Sequence, residues 1–429
     1  MALHPHKKRL ATNVFSLSIL QAFTYILPLA TLPYLINVLG VDNYGLVVFA
    51  QTIVMFFSVF IDYGFNLSAT REVAICKKDG ARLEELLSAV FLIKSALTLL
   101  SIIPFYFIVA SVERFSEHAS IFFVSFSIVA GQIIYPVWFF QGVEKMHFIT
   151  RITIFSKLLF TALVFILIKG PEDLLLVPAL NSGAAILIGL LSVYAIRNKL
   201  GYSFAPPSAR FLVKCFKDSS SFFLSRAAVT LYTTANKLTL GLFLGNASVG
   251  YYDIAEKIYA AAQAVYTPIV QSLYPYVAVN KDIALFKKIF VVVCVTNTAG
   301  VAVLFFSGPQ LLELVFSDSI ALESVLVLNQ LLVALLIVVP SILLGYPLLG
   351  ALGHARYANL SVTFAGATHL LGLTFLAFVN NITIYNVASM LIITQAVDFS
   401  YRLYWVKKKK LFSPHQTPSH QTPSHQLDE

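Results

Sequence analysis

The chain has 429 residues, of which 58% are hydrophobic and 12% charged, with a mean hydropathy of +0.79 and a formal net charge of +9. So few polar groups could not cover a water-facing surface around that much apolar material, which excludes a soluble globular protein and defines an all-α polytopic membrane protein. Three cysteines, Cys76, Cys215 and Cys294, lie in two basic loops and one apolar run, a pattern that implies no disulfide framework.

Runs of roughly 20 apolar residues are long enough to cross hydrocarbon as helices. About twelve are expected, centred near residues 22, 53, 98, 129, 159, 185, 230, 262, 296, 336, 369 and 394, the one around Pro136 weaker than its neighbours. The first follows Lys7, Lys8 and Arg9 as a signal peptide would, yet its apolar stretch runs too long and lacks a convincing cleavage site, so it reads as an uncleaved first span. Basic residues then gather in alternate connections: from Arg71 to Arg82, at Lys145 and Arg151, from Arg197 to Lys217, from Lys281 to Lys288, at Arg356, and from Arg402 to Lys410. The intervening connections hold only Arg114 and Lys169 and are acidic, with Asp42, Glu113, Glu117, Glu172, Asp173, Glu313, Asp318 and Glu323. The positive-inside rule therefore places both termini in the cytoplasm. The positive charge is topological, and no nucleic-acid partner is implied.

The chain contains no Walker A segment, no Gly-x-Ser-x-Gly elbow and no His-Glu-x-x-His pair. The longest outer loop, expected near Gly308 to Ser324, leaves no room for a soluble catalytic domain, so no enzyme is expected. After Lys410 a Thr-Pro-Ser-His-Gln repeat carries almost nothing apolar and is expected to be disordered; its three histidines lie in no rigid frame that would fix a metal.

A shift of 205 positions aligns LGVDNYGLVVFAQTI, Leu39 to Ile53, with LGNASVGYYDIAEKI, Leu244 to Ile258. The copies share Leu-Gly, four residues, Gly, four residues, Ala, then Gln or Glu, one residue, Ile. Each copy falls at the turn between the first and second spans of a six-span block, where a tight turn needs glycine. The organisation expected is two tandem six-helix bundles, residues 1–200 and 218–410, joined by a cytoplasmic linker at 201–217 and followed by the tail at 411–429. An even number of spans per bundle makes the repeat parallel, with a pseudo-twofold axis along the membrane normal, as in transporters that rock two halves about a central site.

Helical spacing places Gln51, Ser58 and Asp62 on one face of the second span, and Glu256, Gln263 and Thr267 on one face of the eighth. Nine ionisable residues fall within spans or at their rims: Asp62, Lys94, Lys157, Arg226, Lys237, Asp253, Glu256, Lys257 and Asp398. A charge near the bilayer centre costs roughly 2.5–3.5 kcal/mol even on a lenient scale, so such groups pair, line water or snorkel. Lys94 and Lys157 are open to either snorkelling or lining a cavity. Arg226 and Lys237, eleven residues apart, share one face at two depths, and Lys237 can reach Asp253 or Glu256 on the neighbouring span. Asp253 and Lys257 have the spacing of an intrahelical ion pair. Two accounts stay open: a purely structural pairing, or an electropositive lining for an anionic substrate in which a carboxylate such as Glu256 or Asp62 titrates with a coupling ion. Pro28 and Pro33, Pro268 and Pro275, and Pro340 and Pro347 each favour a kink.

From Leu32 to Ala74 the sequence resembles the Wzx-type O-antigen flippases of the polysaccharide transporter family. The residues that carry this are Leu39-Gly40 followed by Tyr44-Gly45, and Asp62-Tyr63-Gly64-Phe65-Asn66 leading into Ser68-Ala69-Thr70-Arg71-Glu72. The span count and tandem halves extend the likeness up to Lys410; the His-Gln-rich tail departs from it. The resemblance implies a multi-pass protein of the bacterial inner membrane that moves undecaprenyl-pyrophosphate-linked repeat units, for O-antigen and lipopolysaccharide biosynthesis, from the cytoplasmic to the periplasmic leaflet. Its superfamily also includes drug and toxin exporters and lipid II flippases, with a central cavity lined by spans 1, 2, 7 and 8. Carried onto this chain, it makes Arg226, Lys237 and Lys257 the candidate pyrophosphate cations, and Asp62, Asp253, Glu256 and Asp398 the acidic or coupling candidates. Gln51, Tyr259, Gln263 and Tyr266 become candidate sugar contacts. No cofactor or metal is implied, coupling to a proton or sodium gradient is left open, and the partners implied are the lipid-linked oligosaccharide, membrane lipids, a polysaccharide polymerase and a chain-length regulator. The rival readings are a drug or metabolite exporter of the same fold and a membrane polysaccharide polymerase.

Overall fold

The computed structural model describes residues 5–412, with side chains described from Ile19 onward except at Ser225. The tail at 413–429, with its His-Gln repeat, lies outside the described residues. In chain order the α-helices are α1 (Pro5–Leu39), α2 (Val41–Asp62), α3 (Phe65–Ile75), α4 (Gly80–Ser111), α5 (Glu113–Ser116), α6 (Ala119–Phe126), α7 (Ile128–Ile133), α8 (Val137–Gly142), α9 (Met146–Leu167), α10 (Leu176–Tyr194), α11 (Ala209–Phe243), α12 (Asn246–Ala264), α13 (Thr267–Asn280), α14 (Ile283–Val315), α15 (Asp318–Leu343), α16 (Ala355–Phe378) and α17 (Ile384–Lys408). No strand occurs among the described residues.

Nine helical stretches among the described residues are long and apolar enough to cross a membrane. The long helices outside that set are α11, α12 and α17. They hold Arg226, Lys237, Asp253, Glu256, Lys257, Asp398 and Arg402, so the missing hydropathy is the presence of those charges. The expected weak span near Pro136 is broken into α6, α7 and α8, with Pro136, which has no N–H to give, immediately before α8.

Helix boundaries differ from the sequence reading in two places. The helix α11 begins at Ala209, inside the stretch expected as a linker, because Ser208 caps it by accepting a hydrogen bond from the Phe211 N–H at 3.2 Å. Gly308 and Pro309 are not in a loop: α14 runs through them to Val315 and α15 starts at Asp318. A membrane helix tolerates a proline whose freed carbonyl is re-satisfied locally.

Both second-span helices break at nearly equivalent points of the repeat. After α2 the chain turns through Tyr63 (φ 46°) and Gly64 (φ 77°) before α3, and α12 ends at Ala264 before α13 starts at Thr267. A Cβ at Gly64 would lie 2.7 Å from both Cβ of Phe222 and the backbone N of Phe223, so the left-handed turn and the close approach of α11 both require glycine. Pro268 sits in the first turn of α13, where its missing N–H costs nothing. Thr267 therefore leaves the polar face that Glu256 and Gln263 share on α12.

Contacts sort the connections into two ends. At one end Tyr34 donates to the Ile168 carbonyl at 2.6 Å, Asn37 to the Val315 carbonyl at 3.0 Å, and the Ala247 N–H to Asp42 at 3.1 Å. At the other, Lys77 pairs with Glu144 at 3.1 Å, the Ser203 N–H donates to Glu84 at 2.7 Å, and Ser68 and Ser219 hydroxyls lie 2.7 Å apart. Between them α2 packs on both α11 and α12, α9 on α1 and α10, and α15 on α12, α14 and α17.

Candidate functional site at the junction of α2, α11 and α12

The Leu-Gly-x4-Gly repeat brings α2 and α12 together backbone to backbone. A Cβ on Gly45 would sit 1.9 Å from the Asn246 carbonyl oxygen, and one on Gly250 would sit 2.8 Å from the Val41 carbonyl oxygen. The second glycine of each copy thus exists to admit the other copy's helix, while Gly40 (φ 82°) and Gly245 (φ 103°) shape the turns before them. Arg114 seals the same place, donating to the Gly241 carbonyl and, at 2.5 Å, to Asn246 Oδ1, with its guanidinium 5.6 Å from the centre of the Phe49 ring.

One turn further in lies a cluster of four charges. Lys237 Nζ of α11 is 3.1 Å from Asp253 Oδ1 and 2.5 Å from Glu256 Oε2, both on α12. Lys257 pairs with Asp253 Oδ2, the i,i+4 contact expected from spacing, so both sequence alternatives for Lys237 and the intrahelical pair coexist. Tyr44 of α2 completes it: its hydroxyl donates to Asp253 Oδ2 at 2.5 Å and accepts from Lys257 Nζ at 2.8 Å. Two ammonium and two carboxylate groups make the cluster formally neutral. Asp253 is buried and satisfied by three donors, while Lys237, Glu256 and Lys257 are partly open.

The other candidates divide between this junction and two separate networks. Arg226 is exposed and makes no ion pair among the described residues; it stands one turn beyond Phe223, which stacks on Tyr63 of the α2–α3 turn at 4.8 Å. Asp62 is not at the cluster: it accepts from Lys94 of α4 at 2.8 Å and from Asn66 at 2.9 Å. Lys94 is buried, so it does not snorkel, whereas Lys157 reaches the Thr24 hydroxyl at 3.1 Å. Asp398 pairs with Arg402 at 3.1 Å within α17 and accepts from Ser341 at 2.6 Å. Arg402 also donates to Ser361 Oγ and the Ser341 carbonyl, beside the break at Gly345 in the π-helical turn Leu344–Gly350. Gln51 is half-buried on α2, Tyr266 lies beside Thr296 of α14, and Tyr259 and Gln263 line a cavity among α11, α12, α15, α16 and α17.

Sequence reasoning missed Tyr44 and Arg402. Tyr44 precedes the repeat glycine Gly45, and Arg402 lies four residues after Asp398, so both signals were present but read as a turn residue and as a basic flank. No group of three or more metal-type ligands occurs among the described residues.

Long apolar helices, a two-ended bundle and charges held at a junction between repeat-related helices define a membrane transporter rather than an enzyme. Residues 10–281 match the profile of the family described as "Polysaccharide biosynthesis protein", and the chain belongs to that family. It is 30% identical over 292 residues, 67% of this chain and 70% of the relative, to a protein of Escherichia coli (strain K12) named "Putative O-antigen transporter". A Shigella dysenteriae protein of the same name is 26% identical over 372 residues, covering 83% of this chain and 93% of its own. In fold, the chain is similar to the lipid II flippase MurJ in an inward closed conformation, with a TM-score of 0.69 at 16% identity over 92% of this chain and 88% of that one. It is also similar to an inward-facing multidrug resistance MATE transporter of the MOP superfamily, with a TM-score of 0.63 at 15% identity over 91% and 98%.

Proposed function

We propose that the chain is a flippase that moves undecaprenyl-pyrophosphate-linked O-antigen or similar repeat units across the bacterial inner membrane by alternating access. Twelve helical segments cross the membrane as two six-helix bundles, residues 1–200 and 218–410, with both termini cytoplasmic. On this reading the Gly40 and Gly245 turns lie at the periplasmic end, and the conformation described here is closed on that side.

The observation that carries the reading is the pairing of Lys237 and Lys257 with Asp253 and Glu256 where α12 packs against α2. Bare ammonium groups in the membrane interior are costly, and carboxylate partners offset that cost until an anion replaces them. Pyrophosphate oxygens suit the guanidinium and ammonium geometry of Arg226, Lys237 and Lys257. Arg226, without an acidic partner among the described residues, meets the pyrophosphate first; the two lysines then exchange their carboxylates for phosphate oxygens. Lys257, turned toward the phosphate, no longer donates to Tyr44, and the tie between α2 and α12 is reduced to the Tyr44–Asp253 hydrogen bond, which protonation of Asp253 then weakens. A freed Asp253 or Glu256 is then the group that takes up a coupling proton or sodium ion. A polymerase and a chain-length regulator would receive the product on the periplasmic face.

Deletion of the gene tests this. Loss of surface polysaccharide with lipid-linked units accumulating on the cytoplasmic leaflet is the expected outcome; normal surface polysaccharide would remove the proposal.

A further inference from the structure

A cavity of about 300 Å³ lies wholly among α11, α12, α15, α16 and α17, to one side of the junction. Its size is at the low end of the about 300–1,000 Å³ of small-molecule pockets and equals the liquid volume of about ten waters, far more than one desolvated ion fills. Three of its wall residues carry buried polar atoms without a hydrogen bond among the described residues: Asp398 Oδ1, which has the Arg402 ion pair instead, His369 Nε2 and Asn236 Oδ1. His369 is 1% exposed and Asn236 3% exposed.

The Thr394 hydroxyl lies 2.7 Å from the Met390 carbonyl oxygen and 2.7 Å from His369 Nδ1, so one ring nitrogen of His369 is engaged. The other, Nε2, is left without a partner among the described residues in either tautomer. The Asn236 amide spends one end on the Tyr252 hydroxyl at 2.8 Å and leaves the other unpaired in either orientation. The side-chain amides of Gln263 and Gln395 in the wall make no hydrogen bond among the described residues, and Tyr232 stands edge-on to His369 with ring centres 6.4 Å apart. The charged wall groups are already neutralised, Glu256 by Lys237 and Asp398 by Arg402. A neutral, amide-rich, tyrosine-walled cavity with unpaired polar atoms matches neither a phosphate nor a lone cation; it matches a ring bearing several hydroxyls, each able to donate and to accept.

We infer that this cavity is a subsite for one neutral pyranose of the transported oligosaccharide, its hydroxyls meeting His369 Nε2, Asn236, Gln263 and Gln395. The inference rests on the flippase reading and deepens it. Glu256 belongs both to the cavity wall and to the Lys237 pair, so a sugar held here adjoins a pyrophosphate held at Lys237. The subsite thus reads the sugar attached directly to the pyrophosphate.

The test uses the purified full chain in vesicles with two probe lipids, a polyprenyl pyrophosphate bearing a single hexose and the same lipid without sugar. Gln395→Ala removes a contact, and Ala365→Phe fills the cavity, Ala365 being a buried wall residue. Variants are compared only if their thermal unfolding stays within a few degrees of the parent; one that melts lower is replaced by Gln263→Ala. The expected result is that the parent exchanges the hexose-bearing lipid faster than the bare one, and that each variant abolishes this preference, a loss of about tenfold or more. A parent that treats both lipids alike, or variants that keep its preference, overturns the inference. So does a sodium requirement equal for both lipids and lost in the variants, which would make the cavity a cation site. A parent that exchanges neither lipid is the separate failure of the flippase reading itself.

Discussion

The Tyr44 hydroxyl of α2 donates to Asp253 Oδ2 of α12 at 2.5 Å while accepting from Lys257 at 2.8 Å, so a phenol from one half of the repeat is locked into the charge cluster of the other. Hydrogen bonds to charged groups contribute about 1.5–3 kcal/mol, and each 1.4 kcal/mol is tenfold in an equilibrium, so this bond favours the contact of α2 with α12 by roughly ten- to a hundredfold. Tyr44→Phe should therefore reduce cross-linking between cysteines placed at Asp42 and Ala247, on a background lacking the three native cysteines. Tyr106→Phe, on an exposed tyrosine of α4, should leave the yield unchanged. An unchanged yield in Tyr44→Phe would show that the phenol does not hold the halves together.

Gly45 and Gly300 separate close approach from mere helix propensity. A Cβ at Gly45 meets the Asn246 carbonyl oxygen at 1.9 Å, whereas one at Gly300 meets nothing within 4 Å. Gly45→Ala should abolish complementation of a deletion strain by holding α2 away from α12. Gly300→Ala in α14 should complement fully and gain up to about 1 kcal/mol from helix propensity. Equal complementation by both would contradict the packing described for the repeat.

Buried Lys94 of α4 pairs with partly exposed Asp62 of α2, and stranding a buried charge costs up to about 3–5 kcal/mol. Asp62→Asn, which strands the buried ammonium, should lower the thermal unfolding temperature in detergent and the steady-state protein level, as should Lys94→Met to a lesser degree, since Asp62 is partly exposed and keeps Asn66. The double variant should recover more than half of the loss, since it strands no charge. If Asp62→Asn instead leaves stability intact and slows transport alone, Asp62 belongs among the coupling groups after all.

Cys76 lies in the connection after α3, where burial first and the Glu72 carboxylate second raise its thiol above the ordinary value. A raised thiol is less ionised at neutral pH, so maleimide labelling of Cys76 should be slow at pH 7 and accelerate at pH values above the ordinary thiol range. Glu72→Gln should move that acceleration to lower pH. Labelling that is fast at pH 7 and unaffected by the substitution would contradict the assignment.

The apolar architecture was legible because hydropathy over about 20 residues is a local property, and each expected span centre falls on a described helix. The glycines were legible as turn formers but not as the contact surface of two helices; Gly45, inside α2, is required by the Asn246 carbonyl that lies across from it on a helix distant in sequence. The partners of Lys237 and Lys257 were legible from spacing along α12, but partners on helices distant in sequence were invisible for the same reason. Lys94 and Lys157 look alike in sequence, yet one finds Asp62 on a neighbouring helix and the other only a threonine hydroxyl. The boundary of α11 was misplaced because Lys and Asp residues from Lys214 to Asp218 suggest a loop, while the capping Ser208 that starts the helix precedes them.

The central claim is that this chain moves a pyrophosphate-linked oligosaccharide through the junction held by Lys237, Lys257 and Asp253. The most direct measurement is leaflet exchange of such a lipid in vesicles containing the purified chain, compared with an Arg226→Ala, Lys237→Ala variant at equal protein content. The account predicts exchange by the parent and its loss in the variant. Absence of exchange by the parent, in vesicles that do move a small organic cation, would contradict it.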